Sequence, residues 1–221
     1  MKRSYRQNCA LALSNDILGE RWTLLIIREL LIQPCRFKDL NSVLIGMGTN
    51  LLTNRLKELE AAGLIERQSP GDKRSPYQLS PRGLEAEAIV LAMIRWGNGV
   101  LTTESDYSHQ DHWDLLAMKA LYKPELFNAE LLTSKKANAS LTVVFKTDDF
   151  NGWVKATAKG LSYGLGDSPL ELAEKGSAVI ELPMTIAQLQ QILSENNKAK
   201  KELLATIPNL EILVKCFSRI I

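Results

Sequence analysis

Between Arg36 and Ser80 the chain lays out, in order, a short amphipathic helix, a glycine-bearing turn, a second amphipathic helix and a basic hairpin, and few folds accept that order. The second helix is written in Gly48–Ile65, where Leu52, Leu56 and Leu59 recur at helical spacing while Thr49, Asn50, Thr53, Asn54 and Lys57 fall on other faces. One side is built to pack and the other is left polar. Ahead of it, Arg36–Leu44 predicts a helix with Phe37, Leu40 and Leu44 inward, followed by the tight connection Ile45-Gly46-Met47-Gly48. Behind it, Gly63 suits a helix C-terminus, Leu64–Gln68 reads as a strand, residues 69–75 carry turn chemistry around Lys73 and Arg74, and Tyr77–Ser80 is the return strand. Helix, turn, helix and hairpin make a winged helix-turn-helix, whose second helix lies in a DNA major groove.

That reading assigns roles by side-chain chemistry. Asn50, Thr53 and Asn54 are expected at base edges or nearby phosphates, and Thr49, Arg36, Lys38 and Lys57 at the backbone. Lys73 and Arg74, at the hairpin tip, are expected on flanking phosphates or in the minor groove. Arg55 fits a structural role instead, paired with a carboxylate. An ordinary solvated amphipathic helix followed by a solvated turn would show much of the same pattern, so the weight rests on the ordered combination.

The remainder of the first hundred residues supplies the support. Cys9–Leu18 predicts a helix stopped at Gly19, and Trp22–Ile32 is almost solidly apolar and predicts the central buried helix. Ser80-Pro81 opens what reads as one helix through Gly97, with proline at its first position. Its apolar residues Ala88, Leu91, Ala92 and Trp96 form a stripe for a homodimer contact or for packing on a second domain. Residues 98–113 are polar and turn-rich. Beyond them the pattern gives a helix from Asp114 to Leu132 broken at Pro124, strands at Leu141–Lys146 and from Gly152 to Ala158 continuing through Leu161 and Tyr163, and another at Ala178–Leu182. Thr185 caps a helix carrying Ile186, Leu189, Ile192 and Leu193, and a last helix carries Leu210, Leu213, Val214 and Phe217. The fold class is therefore α+β: residues 1–100 a DNA-binding and dimerisation domain, 101–113 a linker, 114–221 a small domain in which helices cover one sheet.

Charge follows the same division. Residues 1–100 hold 14 Lys and Arg against 10 Asp and Glu, while residues 101–221 hold 13 against 15. A basic half and a slightly acidic half point to different partners. Three cysteines at Cys9, Cys35 and Cys216 fit neither a disulfide framework nor a zinc site, which predicts a reducing, cytoplasmic setting. The longest apolar run, Ala88–Ile94, is far too short to span a bilayer, so no membrane association is expected.

The first hundred residues resemble the HxlR family of winged helix-turn-helix regulators, relatives of the MarR class. The resemblance is carried by Cys9, by Leu18-Gly19-Glu20-Arg21-Trp22-Thr23-Leu24-Leu25-Ile26 with Arg28-Glu29-Leu30, and by Arg36-Phe37 with Asp39-Leu40. It continues through Leu52-Thr53, Arg55–Glu60, Gly63-Leu64-Ile65, Tyr77, Leu79 and Gly83. Ala10 stands where the family usually has proline, and Gly48 where it often has serine. Arg3-Ser4-Tyr5 before Cys9 is similar to a subset in which a sterol-carrier-protein-like domain follows, and residues 115–221 match that domain in pattern. The resemblance implies a dimeric, sequence-specific transcriptional regulator on double-stranded DNA with a palindromic operator, its two recognition helices about 34–36 Å apart.

Two places could receive a signal. Some members of the family use the N-terminal cysteine against oxidants or electrophiles; Cys9 lies near Arg3, Arg6 and a helix N-terminus, which lower a thiol pKa, or else it is a small residue buried against Trp22. A sterol-carrier-like domain implies an apolar ligand, for which Val144, Trp153 and Phe217 are candidate pocket residues, though a plain core reads the same way. A carrier of small apolar molecules with only accessory DNA binding is the competing function. No enzyme, cofactor or metal is expected: Gly160-Leu161-Ser162-Tyr163-Gly164 has the spacing of a nucleophile elbow, yet both histidines precede it, and it reads as a β-turn. His109 and His112, with Asp106 and Asp111, read as side chains of the polar linker rather than metal ligands.

Overall fold

The computed structural model describes residues 4–101, 107–127, 139–167, 177–194, 198–207 and 209–217. The chain divides into two compact units, Met1–Val90 and Leu91–Ile221. The division falls inside a helix, earlier than the boundary expected at residue 100.

The first unit contains α1 (Ala10–Leu18), α2 (Thr23–Ile32), α3 (Phe37–Val43) and α4 (Thr49–Ala61), then the hairpin β1 (Ile65–Arg67) and β2 (Tyr77–Leu79), then α5 (Pro81–Leu84); α6 (Glu87–Gly97) crosses the division. Ile26, Ile27 and Leu30 of α2 are buried, as the apolar run predicts, and Leu52, Leu56 and Leu59 of α4 bury the inner side of the second helix. Each leucine so placed contributes roughly 1.5–3 kcal/mol relative to exposure. Gly63 ends α4 at φ +69°, and Leu64 N–H donates to Leu59 O (3.0 Å) while Gly63 N–H donates to Glu60 O (2.9 Å). This pair of bonds satisfies the last carbonyls of the helix and turns the chain into the wing.

The wing strands pair antiparallel, Ile65 with Leu79 and Arg67 with Tyr77. A third segment joins at one residue, where Cys35 and Tyr77 exchange both backbone hydrogen bonds (2.9 and 2.8 Å). Ser80 closes the hairpin: its Oγ donates to Gly63 O (2.6 Å) and accepts from Gly83 N–H (3.0 Å), capping α5. The helix expected from Pro81 through Gly97 is broken after Leu84. Gly83 is packed so closely that a Cβ there would lie 1.9 Å from Leu64 O, and this poor helix former holds α5 against the wing before α6 starts afresh.

The second unit contains α7 (Asp111–Leu121), a four-stranded sheet of β3 (Ser140–Lys146), β4 (Asn151–Thr157), β5 (Gly160–Leu165) and β6 (Ser177–Leu182), and then α8 (Ile186–Ser194), α9 (Lys198–Thr206) and α10 (Leu210–Lys215). Strand order is β5-β4-β3-β6, with β3 antiparallel to β4 and parallel to β6. Leu141, Val143 and Phe145 of β3 pair with Ala156, Val154 and Gly152 of β4 on one face. That face closes against Leu115 and Met118 of α7, Leu189 and Leu193 of α8, and Leu213 of α10. Thr185 caps α8 reciprocally with Gln188: Gln188 N–H donates to Thr185 Oγ1 (3.2 Å) and Thr185 N–H to Gln188 Oε1 (2.8 Å).

Several expectations shift in this unit. α7 begins at Asp111, inside the stretch expected as linker, and ends at Leu121; of the continuation expected to Leu132, residues 128–132 lie outside the described ones. Of the two readings of Gly160–Gly164, a β-turn or a strand running through Leu161 and Tyr163, the structure has the strand, β5, whose alternation seats Leu161 and Tyr163 opposite Ala156 and Val154. α9, whose hydrophobic pattern is weak, was not expected.

Candidate nucleic-acid interface

Packing three leucines inward fixes what α4 shows outward. Thr49, Asn50, Asn54 and Lys57 are exposed, and Thr53 is half-buried with its hydroxyl donating to Thr49 O (2.8 Å). Gly48 precedes the helix in extended conformation without a side-chain cap, leaving the first-turn N–H groups of α4 beside Thr49 and Asn50. Arg36 and Lys38 are exposed at the start of α3, where Arg36 N–H donates to the Asp39 carboxylate (2.9 Å). Lys73 and Arg74 are exposed in the wing loop, whose path is set by Gly71 at φ +86° and by Arg74 N–H donating to Asp72 Oδ1 (2.8 Å).

The structure brings part of this set together. An open cleft of about 560 Å³ runs between α4 and the wing, bounded by Phe37, Thr53, Lys57, Lys73 and Tyr77 among others. Arg55 stands apart, with its side chain mostly buried: Nη1 lies 2.6 Å from Glu58 Oε2 and Nη2 lies 3.2 Å from Glu20 Oε2. It ties α4 to the turn ahead of α2.

Arg67 was missed by sequence reasoning and organises the wing. Its guanidinium lies 3.6 Å from the centroid of the Tyr77 ring, donates through Nη1 to Ser75 O (2.7 Å) and through Nη2 to the Tyr77 hydroxyl, and has Nε 3.6 Å from Glu60 Oε1. One residue thus joins α4, β2 and the wing loop. Its place directly across the hairpin from Tyr77 was the signal that could have found it. Burial raises the Tyr77 hydroxyl pKa and the neighbouring Arg67 lowers it, so the phenol stays protonated and can accept from the arginine.

Cys9 is exposed at the N-cap of α1, so it is not buried against Trp22. Its thiol pKa is lowered by the backbone N–H groups of Ala12 and Leu11, which stabilise a thiolate. Arg3, invoked from the sequence for the same effect, lies outside the described residues. Cys35 is the opposite case, pushed up to about 12 by burial and by the nearby charges of Glu29 and Asp39.

The three candidate pocket residues do not meet. Val144 and Trp153 form a cross-strand pair on the sheet face opposite Val143 and Val154, with the indole lying over Gly164, whereas Phe217 sits in the core cluster on the helix-covered face. The period-2 alternation of strands separates them. Around Phe217 there is an apolar cavity of about 20 Å³, bounded by Met118, Leu189, Leu193, Leu213 and others. No helix among the described residues is long and apolar enough to cross a membrane.

A family model described as HxlR-like helix-turn-helix matches residues 17–105. An HTH-type transcriptional regulator of Synechocystis sp., sll1512, is 36% identical over 92 residues, which cover 41% of this chain and 68% of that protein. The HTH-type transcriptional regulator YodB of Bacillus subtilis is 33% identical over 85 residues, 38% of this chain and 76% of that protein. Among solved structures, that of quinone-bound YodB aligns at 32% identity over 41% of this chain and 98% of that one, with a TM-score of 0.37. With the helix, turn, helix and wing in place, these sequence matches make the chain, through its first hundred or so residues, a member of the HxlR family of helix-turn-helix transcriptional regulators.

Proposed function

We propose that the protein is a dimeric, sequence-specific regulator that sets α4 in the major groove of a palindromic operator and rests the wing on the flanking backbone. The observation that carries this is the cleft in which Thr53 and Lys57 of the helix face Lys73 of the wing, with Asn50 and Asn54 exposed on the same helix. Asn50, Thr53 and Asn54 read base edges or adjacent phosphates, while Thr49, Arg36, Lys38 and Lys57 hold the backbone. Lys73 and Arg74 neutralise phosphates beside the site.

The dimer uses residues 81–101. Ile89, Met93 and Trp96 lie exposed at helical spacing on α6, followed by exposed Val100 and Leu101, an apolar stripe of the kind that marks an interface. Cys9 is the candidate input for oxidants or electrophiles, supported by its exposure and by the backbone amides of Ala12 and Leu11 that lower its thiol pKa. We read the second unit as the sterol-carrier-like domain; its sheet covered by helices on one face supports this. The apolar cavity beside Phe217, about 20 Å³, has room for about one water molecule, so any larger ligand has to open it.

The test is binding of the purified protein to DNA from beside its own gene, followed by fluorescence anisotropy over a range of salt. A saturable complex that survives competitor DNA is the expected result. Binding no tighter to this DNA than to random sequence, combined with a retained lipid-like molecule in native mass spectrometry, would favour the carrier function instead.

A further inference from the structure

The polar stretch leading into α7 collects three metal-ligating side chains. His109 Nε2 lies 3.1 Å from Asp114 Oδ2 and 3.9 Å from Asp111 Oδ1, and one donor atom from each of the three lies within 4.8 Å of the others. Asp111 and Asp114, three residues apart, project from one side of the first turn of the helix, and the chain before it returns His109 to them. From the sequence, His109, His112, Asp106 and Asp111 read as side chains of the polar linker; the structure brings Asp114 to His109 and Asp111 instead, and Asp106 lies outside the described residues.

Donor atoms bound about 2.0–2.2 Å from one ion stand roughly 3.0–3.6 Å apart, and the contact between His109 and Asp114 already has that spacing. The charges point the same way. Asp114 is buried, and a buried carboxylate has to be paired. Two carboxylates converge here, and the imidazoles of His109 and His112 are the neighbouring groups that act on Asp114. The side chains of His109 and Asp111 remain 51% and 36% exposed, which gives water access to the remaining coordination positions. One imidazole nitrogen with two carboxylates and open positions suits a divalent first-row ion of the zinc or manganese type, not calcium or copper(I).

We propose that His109, Asp111 and Asp114 form a binding site for such an ion, which would fasten the segment before α7 to the first turn of that helix. The site does not depend on the DNA-binding reading.

The experiment uses the full chain carrying Cys9→Ser, which removes the exposed thiol as a competing ligand. Titration with zinc chloride against a chromophoric chelator is expected to give one site in the micromolar range, and His109→Gln or Asp114→Asn to weaken it by at least about tenfold with an unchanged circular dichroism spectrum. Manganese(II) is expected to broaden amide resonances at residues 107–114 first and to quench Trp113, whose ring centroid lies 6.1 Å from that of His109. His112→Gln is expected to retain the affinity within about twofold. The proposal is overturned if zinc shows no saturable binding below millimolar concentration, if His109→Gln and Asp114→Asn bind as tightly as the parent, or if the broadening centres elsewhere.

Discussion

The outward side of α4 and the outward side of the four-stranded sheet are both left over after a core has been packed, yet they inform unequally. On α4 the three buried leucines turn Asn50, Asn54 and Lys57 to solvent, where their donors and acceptors are free for a partner. On the second face of the sheet, Thr142 and Val144 of the central strand β3 are buried as well, and Lys155 and Trp153 beside them on β4 are half-buried. A helix separates its faces around a cylinder, so a polar side remains open; a strand in mid-sheet has neighbours on both flanks and shows little of itself even on its second face. Chemistry can be read from the first kind of surface. From the second, only packing can.

The contrast is broken most severely through the sheet. Phe145→Ala, which empties the helix-covered face, is expected to cost about 3–5 kcal/mol, whereas Val144→Ala on the other face should cost far less; urea unfolding of both variants measures the difference. A Phe145→Ala cost no larger than that of Val144→Ala would count against a core on the helix-covered face. Next in size is Gly83→Ala, where a methyl group would meet the Leu64 carbonyl oxygen; a loss of about 3 kcal/mol is expected in the same measurement, with DNA binding lost as the wing shifts.

On the DNA-facing side the expected effects are smaller and concern affinity. Replacing Lys73 and Arg74 together by alanine should weaken binding to all sequences and lower the slope of log affinity against log salt by about 2, as anisotropy titrations would show. An unchanged slope would remove the wing from the interface. Asn50→Ala or Asn54→Ala should instead relax discrimination at individual base pairs by roughly 1–3 kcal/mol, measured by competition between operator and mismatched DNA.

Smallest in stability is Cys9→Ser, expected to leave the urea unfolding midpoint where it is because the thiol is exposed. Its effect is on reactivity. With the Cys9 pKa lowered, its alkylation by iodoacetamide should reach its plateau at lower pH than that of a free thiol, since the thiolate is the reacting form. Cys35, pushed up to about 12, should stay unmodified in the folded protein across the neutral range. Loss of oxidant-dependent DNA release in Cys9→Ser would establish the sensor, and unchanged release would eliminate it.

Much of the first unit was legible because its signals are local. The spacing of Leu52, Leu56 and Leu59, the stop at Gly63, and proline after Ser80 each act within a turn or two of chain, and the structure realises all three. The unbroken helix through Gly97 failed for a non-local reason: Gly83 is held against Leu64, nineteen residues earlier, and no periodicity records that approach. Arg67 was overlooked on similar grounds, since its partners Glu60, Ser75 and Tyr77 belong to three different segments.

By itself, then, the sequence determined most of the helices and strands of the first unit, which side of α4 packs, and the family to which the first hundred residues belong, because periodicity, turn chemistry and motif order are properties of neighbouring residues. Only the tertiary structure decided that Cys9 is exposed, that Val144 and Trp153 lie across the sheet from Phe217, and that His109 reaches Asp111 and Asp114. Exposure and convergence depend on what the rest of the chain places alongside a residue, through strand register and packing that no short stretch encodes.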